Sequence, residues 1–413
     1  VVTLDPRAFA AVRAEADGLA RVFTSAGHQL FLVGGIVRDL VLGEPLTPAT
    51  DLDFATSARP DHVRELVAPL ADAVWDQGAR FGTVACLVEG RHVEITTFRS
   101  EVYVQDSRKP HVAFADDVAT DLARRDFTVN AMALDMASGA LVDPFDGIGD
   151  LARRVLATPL GPEIAFSEDP LRMLRAARFV AGYALVPAPG VVAAMTALAP
   201  RLAIVSAERI RDELDKLLSV PAAAAGFGLL SRAGLLDRVL PGVDDARISS
   251  LDAVAADPTI RVAVLLAEQD PAAVRSQLRA LRHSSARVDA TLSLVEALAQ
   301  LGAGALATDE ALRRATARFG PVLDQALVVG PAAGLVPASQ ARAVRSRQQD
   351  LAADLADLTL PLDGRDVMRL LGLAPGPEVG RALDAVAEWR YRDGPLDAAT
   401  ARERLLAWAA GSG

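Results

Sequence analysis

An α+β architecture, a small mixed sheet followed by a long all-helical region, is what the sequence predicts, on three observations. Strand-like and helix-like stretches alternate from about residue 28 to 147. After Pro144 the apolar residues recur almost throughout at a spacing of three to four. Aromatic residues make up only 5% of a chain that is 51% hydrophobic, which favours helices packed on helices. Its 413 residues leave room for two to four domains.

Taken in order, Pro6–Ala26 has helical spacing and leads into a strand, "LFLVG". A short helix, "VRDLVL", and a strand, "DLDFAT", follow. Next come the helix "PDHVRELVAPL" and the strands "TVACLVEG" and "RHVEITTFR", with a hairpin turn expected at Gly90. A polar loop, "SEVYVQDSRKPHVAF", precedes a predicted helix, "DLARRDFTVNAMAL". Beyond Pro144, "DPLRMLRAARFVAGY", "SAERIRDELDKLL" and "AGFGLLSRAGLLDRVL" are helical by period. "SAER" begins like a capping box, with Ser206 as N-cap and Arg209 where Glu is usual. "AAAAG" near 222–226 is expected to be helix.

Composition narrows the class. No run of about 18 uncharged apolar residues occurs, so no membrane span is expected. The first residues carry acids and arginines at helical spacing, unlike a signal peptide. A lone cysteine, Cys86, excludes an intrachain disulfide framework and a cysteine zinc cluster; a reducing cytoplasm is the simplest home. The net charge of −10 argues against a nucleic-acid binder that relies on overall positive charge, but not against a local basic groove. Lys109 and Lys216 are the only lysines; a GC-rich genome gives such a bias, and arginine also suits bidentate contacts to phosphate and base edges.

Two constellations carry chemistry. In "DLDFAT" a strand would turn Asp51 and Asp53 to one face and Leu52 and Phe54 to the core. Paired carboxylates on a rigid face can hold a divalent cation that also takes phosphate oxygens. Gly34 and Gly35 end the preceding strand, where the backbone can approach an anion at a helix N-terminus, with Arg38 one turn on. Glu94, a charge between Val93 and Ile95, either completes the metal site, acts as a base, or lies on a solvated face. The second constellation is "EDPLRMLRAARF": Asp169, Arg172, Arg175 and Arg178 recur every third residue as a drifting helical stripe. It is either an exposed salt-bridged face or a charged wall for a nucleotide. In "DLARRDFTVNAMA", Arg124 or Arg125 could hold a triphosphate, and Asp126 or Asn130 a ribose hydroxyl.

Together these motifs resemble the class II nucleotidyltransferases of the polymerase-β superfamily, and among them the tRNA CCA-adding enzymes. "LVGGIVRD…DLDFAT" looks like the catalytic motif and "RRDFTVNAMA" like the ribose and phosphate motif. "DPFDGIGDL" resembles the head-to-neck connector, "EDPLRMLRAARF" the nucleotide-templating motif, "ERIRDEL" the next neck motif, and "PLDGRDVMRLLGLAPGPEVGRAL" a bacterial tail. The resemblance implies a head at 1–150, a neck at 151–220, a body at 221–300 and a tRNA-binding tail at 301–413. It implies two-metal addition of C, C and A to the tRNA 3′ end from CTP and ATP, with magnesium on Asp51 and Asp53. Gly35, Arg38 and Arg125 would contact the nucleotide. Asp169 and Arg172 would read the base edge, assisted by Arg175 and Arg178. "IRVAVLLAEQD" lacks the His-Asp pair of relatives with a phosphohydrolase domain, so that activity is not expected. The arginine-rich stretch of bacterial poly(A) polymerases is missing, and the polar loop after residue 99 favours full CCA addition over CC-adding alone. CC-adding, A-adding or poly(A)-adding activity is the alternative, and a non-catalytic RNA-binding relative the other class.

Overall fold

The computed structural model describes residues 6–44, 47, 50–75, 81–102 and 111–411. It contains two compact units, Val1–Pro241 and Gly242–Gly413.

The first unit opens with α1 (Pro6–Ser25), β1 (Leu30–Val33), α2 (Gly35–Leu42), β2 (Leu52–Thr56), α3 (Pro60–Val67), β3 (Ala73–Trp75), β4 (Thr83–Val88) and β5 (Arg91–Thr97). It continues through β6 (Arg99–Val102), β7 (His111–Phe114), α4 (Val118–Ala123), β8 (Ala133–Asp135) and β9 (Leu141–Val142). Among the described residues seven of these strands form one sheet, ordered β3-β4-β5-β2-β1-β8-β9. The β2–β5 pair is parallel and its neighbours are antiparallel, so the sheet is mixed. Strands β6 and β7 make a separate hairpin; its tip, residues 103–110 of the predicted polar loop, lies outside the described residues.

Alternation along the strands decides which face is covered. Leu32 pairs with Phe54, Phe54 with Ile95, and Ile95 with Val84, all under 2% exposed. Leu52, Val93 and Cys86 form the next row on that face, against which α1 and α3 pack. On the other face Phe31, Val33, Ala55 and Ala133 are buried beneath Leu122 of α4 and beside Phe98. Among the described residues that cover stops short of Asp53, Glu94, Ala85 and Trp75, which leaves one end of the face open. The hairpin turn stands where the sequence places it, with Glu89 and Gly90 both at positive φ, as a two-residue turn of this hand requires.

After α5 (Gly147–Arg153) the unit is helical except for a short parallel pair, β10 (Val155–Leu156) with β11 (Val186–Pro187). The helices are α6 (Pro162–Glu168), α7 (Leu171–Tyr183), α8 (Val191–Leu198), α9 (Ala207–Leu218), α10 (Ala223–Arg232) and α11 (Leu236–Val239). Helix α10, which contains most of "AAAAG", packs on α7, as α9 does.

Three expectations are corrected. The stretch "DLARRDFTVNAMAL" is not one helix: α4 ends at Ala123, a 3-10 turn covers Thr128–Asn130, and the last two residues lie in β8. Asp126 caps no helix; it binds the Phe127 amide and the Asn130 amide group, and this breaks the run. The strand predicted over "RHVEITTFR" is interrupted at Phe98, whose amide crosses to the Thr56 carbonyl. Ser206 precedes α9 but makes no side-chain cap, and Arg209 reaches Asp169 instead of closing a box.

The second unit is all helix among its described residues. One apolar cluster joins Leu294, Leu298 and Leu301 of the helix Ser285–Gly302 to Leu323 and Leu327 of Pro321–Ala332. Another gathers Leu362, Val367, Val386 and Leu405 nearer the C-terminus. Asp354 is held between Arg313 and Arg390, both nearly buried, at 2.6 Å from each.

Candidate active site

Asp53 of β2 pairs directly with Glu94 of parallel β5, so the two carboxylates share a rung on the open face. Asp51, just before β2, is two residues from Asp53 and on the same side. His92 falls in beside it, with Nδ1 3.8 Å from Asp51 Oδ1. Desolvation by the surrounding protein raises the Asp53 carboxyl, the nearby Glu94 and Asp51 charges raise it further, and Arg125 and His92 oppose them. The net effect lifts Asp53 to about 6. Three acids crowded together at this cost form a hard, oxygen-rich donor set. Among the described residues no group of three or more His, Cys, Asp or Glu side chains is placed to hold a metal ion by itself, so the protein would supply only part of the coordination. An open carboxylate face leaves coordination positions for phosphate and water oxygens, which is how small divalent cations are usually held. The donor set therefore fits a divalent cation.

Gly34 joins β1 to α2 with φ 81° and ψ −146°, a conformation essentially restricted to glycine. A Cβ built there would stand 2.9 Å from a terminal nitrogen of Arg125 and 3.9 Å from Asp53 Oδ2. The missing side chain thus keeps a small space between a guanidinium and a carboxylate. Arg125 is steered by Asp121 (3.2 Å), which also takes Arg124 at 2.7 Å. Desolvation pushes the buried Asp121 upward, but Arg124 and Arg125 outweigh it and hold the carboxyl below its ordinary range. Asp121 escaped the sequence reading; its i+3 and i+4 spacing to Arg124 and Arg125 was the available sign.

Arg38 is 6% exposed and already engaged. It donates to both oxygens of Asp39 and, at 2.6 Å, to Asn130 Oδ1, and its guanidinium lies 4.2 Å from the Tyr183 ring centre. Asn130 in turn donates to Asp126 Oδ1, and Asp126 Oδ2 accepts Nε of Arg175 at 2.8 Å. A single polar network therefore runs from α2 through the turn after α4 to α7. Asp126 is buried; desolvation acts upward on it, while Arg175 and Asn130 pull harder the other way. Gly35 sits beside the same Arg38 guanidinium.

The stripe on α7 faces protein on much of its length. Asp169 precedes the helix, binds the Leu171 amide through one oxygen and Arg209 of α9 through the other (2.8 Å). Arg172, 8% exposed, donates to Glu168 and to the Arg124 carbonyl. Arg178 donates to the buried Glu213 of α9 at 2.5 Å. The structure thus brings Asp51, Asp53, Glu94 and Arg125 to one place. Through residues 124–126 it ties them to Arg38, Arg172 and Arg175, while Asp169 and Arg178 are joined to α9. Arg209 and Glu213, both within "ERIRDEL", are the partners that residue spacing alone did not reveal.

Residues 30–157 match the family described as the poly(A) polymerase head domain, and 187–247 the family described as a probable RNA- and SrmB-binding site of polymerase A. The chain is 34% identical over 406 residues to the CCA-adding enzyme of Geobacillus stearothermophilus, covering 95% of this chain and 96% of that one. It is 34% identical over 380 residues to the CCA-adding enzyme of Limosilactobacillus fermentum, covering 88% of each. The crystal structure of the Bacillus stearothermophilus CCA-adding enzyme in complex with CTP superposes with a TM-score of 0.74 at 30% identity, over 97% of this chain and 98% of that one. The fold also recurs in the Thermotoga maritima CCA-adding enzyme complexed with tRNA, at a TM-score of 0.65 and 18% identity, over 98% and 96% of the two chains. With an open carboxylate rung beside a glycine turn and a relative matched almost end to end, this chain belongs to the family of CCA-adding enzymes.

Proposed function

We propose that the protein adds C, C and A to the 3′ end of tRNA from CTP and ATP without a nucleic-acid template. The observation that carries the reading is the rung that sets Asp53 beside Glu94, with Asp51 two residues away, on the uncovered end of the sheet. Asp51 and Asp53 hold the cation, which is magnesium by preference for an all-oxygen set that leaves room for phosphate and water. When bound, that ion supplies charge stabilisation at the phosphate and acidifies the attacking hydroxyl.

The protein's own groups do the rest. Arg125 and the backbone freed by Gly34 receive the triphosphate. The primer 3′ oxygen forms its bond to the α-phosphorus as the α–β anhydride bond breaks and pyrophosphate leaves. Glu94, one rung from Asp53, takes the hydroxyl proton. Arg38 and Arg175, tied through Asn130 and Asp126, fix the turn that carries Arg125. Asp169 and Arg172 read the base edge by exchanging their present partners, Arg209 and Glu168, for it, and a site built on such groups discriminates sharply because a wrong edge leaves them unpaired. Gly35, beside the Arg38 guanidinium, and Arg178, paired with Glu213, complete the set. Head, neck, body and tail follow the division at 150, 220 and 300, with the last helices holding tRNA in a cytoplasmic setting; no described helix is long and apolar enough to cross a membrane.

The test is incubation with tRNA lacking its terminus, labelled CTP and ATP, and magnesium. A product three nucleotides longer, with pyrophosphate released, is expected. Folded protein that incorporates nothing would overturn the reading. Product length on tRNA ending in CC and on oligo(A) separates the partial and poly(A)-adding alternatives.

A further inference from the structure

Trp75 lies on the open end of the sheet, and the reaction as drawn gives it no role. It pairs with Ala85, Ala85 pairs with Glu94, and Glu94 pairs with Asp53. Residues paired across strands share a face, so the indole rises from the same surface as the carboxylates. Ala85 puts only a methyl group between them. Trp75 sits on β3, at the edge of the sheet, and is 42% exposed. At that exposure the ring keeps apolar surface on the acidic face that a stacked base would bury. Among the described residues its ring neighbour is His92, 5.9 Å away at an interplanar angle of 34°, and His92 in turn reaches Asp51. Aromatic surface therefore runs from the sheet edge to the rim of the carboxylate cluster.

The strand order says which substrate this surface serves. Gly34 and Arg125 lie on the β1 side of Asp53, and Trp75 lies on the β5 side. If the triphosphate occupies the first side, an in-line attack brings the primer hydroxyl from the other. Strands lie about 4.8 Å apart, so three rung steps separate the Trp75 and Asp53 backbones by roughly 14 Å, a span that an indole with a nucleoside stacked on it can bridge. We propose that Trp75, flanked by His92, is the stacking platform for the 3′-terminal base of the primer, and this rests on the nucleotidyltransferase reading above. Stacking on an aromatic face tolerates any base. That suits an end whose last base changes with each addition.

Two measurements test it. Trp75→Ala raises KM for tRNA by about tenfold, leaves KM for CTP unchanged, and is largely rescued by Trp75→Phe. In a Trp389→Phe/Trp408→Phe background, Trp75 is the sole tryptophan, and its fluorescence is quenched by a tRNA acceptor minihelix but not by one whose 3′-terminal nucleotide is abasic. Unchanged primer KM in folded Trp75→Ala, or equal quenching by the abasic minihelix, overturns the platform while leaving CCA addition standing. Should Trp75→Ala not fold, the fluorescence comparison decides alone. A wild-type protein that incorporates no nucleotide sinks the underlying reaction, and the quenching still reports on the platform.

Discussion

Asp53 works against the fold in order to serve the site. Its folded value of about 6 stands above the ordinary carboxylate range near 4, so between those pH values the folded protein binds the extra proton. The contribution of this group favours the fold at low pH and is lost as pH rises through 6. Above pH 7 the ionised Asp53 therefore costs stability in protein stripped of metal. Asp53→Asn removes that charge at nearly constant shape. In chelator, above pH 7, it should raise Tm by about 2 °C, a small figure because solvent screens an accessible carboxylate. Near pH 4 the two proteins should melt together. The same substitution should cut nucleotide incorporation about a thousandfold or more. Thermal scans at the two pH values and an incorporation assay check both halves. A variant less stable at pH 7.5, or one that still extends tRNA, contradicts the assignment.

Elements bring such residues together, and two of them invite substitution. The β1–α2 turn depends on Gly34, where an added methyl meets a positive φ and a guanidinium nitrogen at 2.9 Å. Gly34→Ala should leave circular dichroism unchanged but lower kcat/KM for CTP about a hundredfold, since a displacement of roughly 1 Å costs about that much. Near-wild-type turnover would mean that the space carries no ligand. The contact between α7 and the turn after α4 depends on Asp126 and Arg175. Because Arg175 holds the Asp126 carboxyl below its ordinary range, the pair contributes stability above that range and loses it as pH falls through the lowered value. Arg175→Met strands a buried carboxylate and should cost about 3 kcal/mol in denaturant titration; Arg175→Met/Asp126→Leu should recover most of it. If the double variant regains stability but not activity, Arg175 also serves the nucleotide. These elements differ in how far the sequence reveals them. The carboxylate strand and glycine turn were readable because a two-residue period and a double glycine are local features. Asp126 and Arg175 are 49 residues apart, and Arg178 and Glu213 are 35 apart, so only the fold could pair them. Strands β3, β8 and β9, of two or three residues, are too short to show any period, and β3 carries Trp75.

At the scale of the whole chain, 53 acids against 43 bases give a protein that should repel a polyanion, yet its family extends tRNA. Residue type resolves part of this. Only two of the basic residues are lysines; the rest are arginines, whose fork can hold a carboxylate and still suit a phosphate oxygen. Many of them sit in internal ion pairs, such as Arg313 with Asp354 and Arg178 with Glu213, and so add little to the outer field. Binding of tRNA must then come from a limited set of local arginine contacts working against a repulsive background. Salt acts on both terms: it screens the repulsion and weakens the release of counterions from the RNA. Counterion release scales with the number of phosphates engaged and dominates at contact distance. With about six phosphate contacts, affinity for tRNA should fall on the order of a hundred- to a thousandfold between 50 and 200 mM monovalent salt. Turnover at saturating tRNA should change far less, because the carboxylate rung and its neighbours act at contact distance. Fluorescence anisotropy with labelled tRNA across that range measures the slope. A flat or rising affinity would mean that base stacking and shape, with no arginine-lined path, hold the RNA.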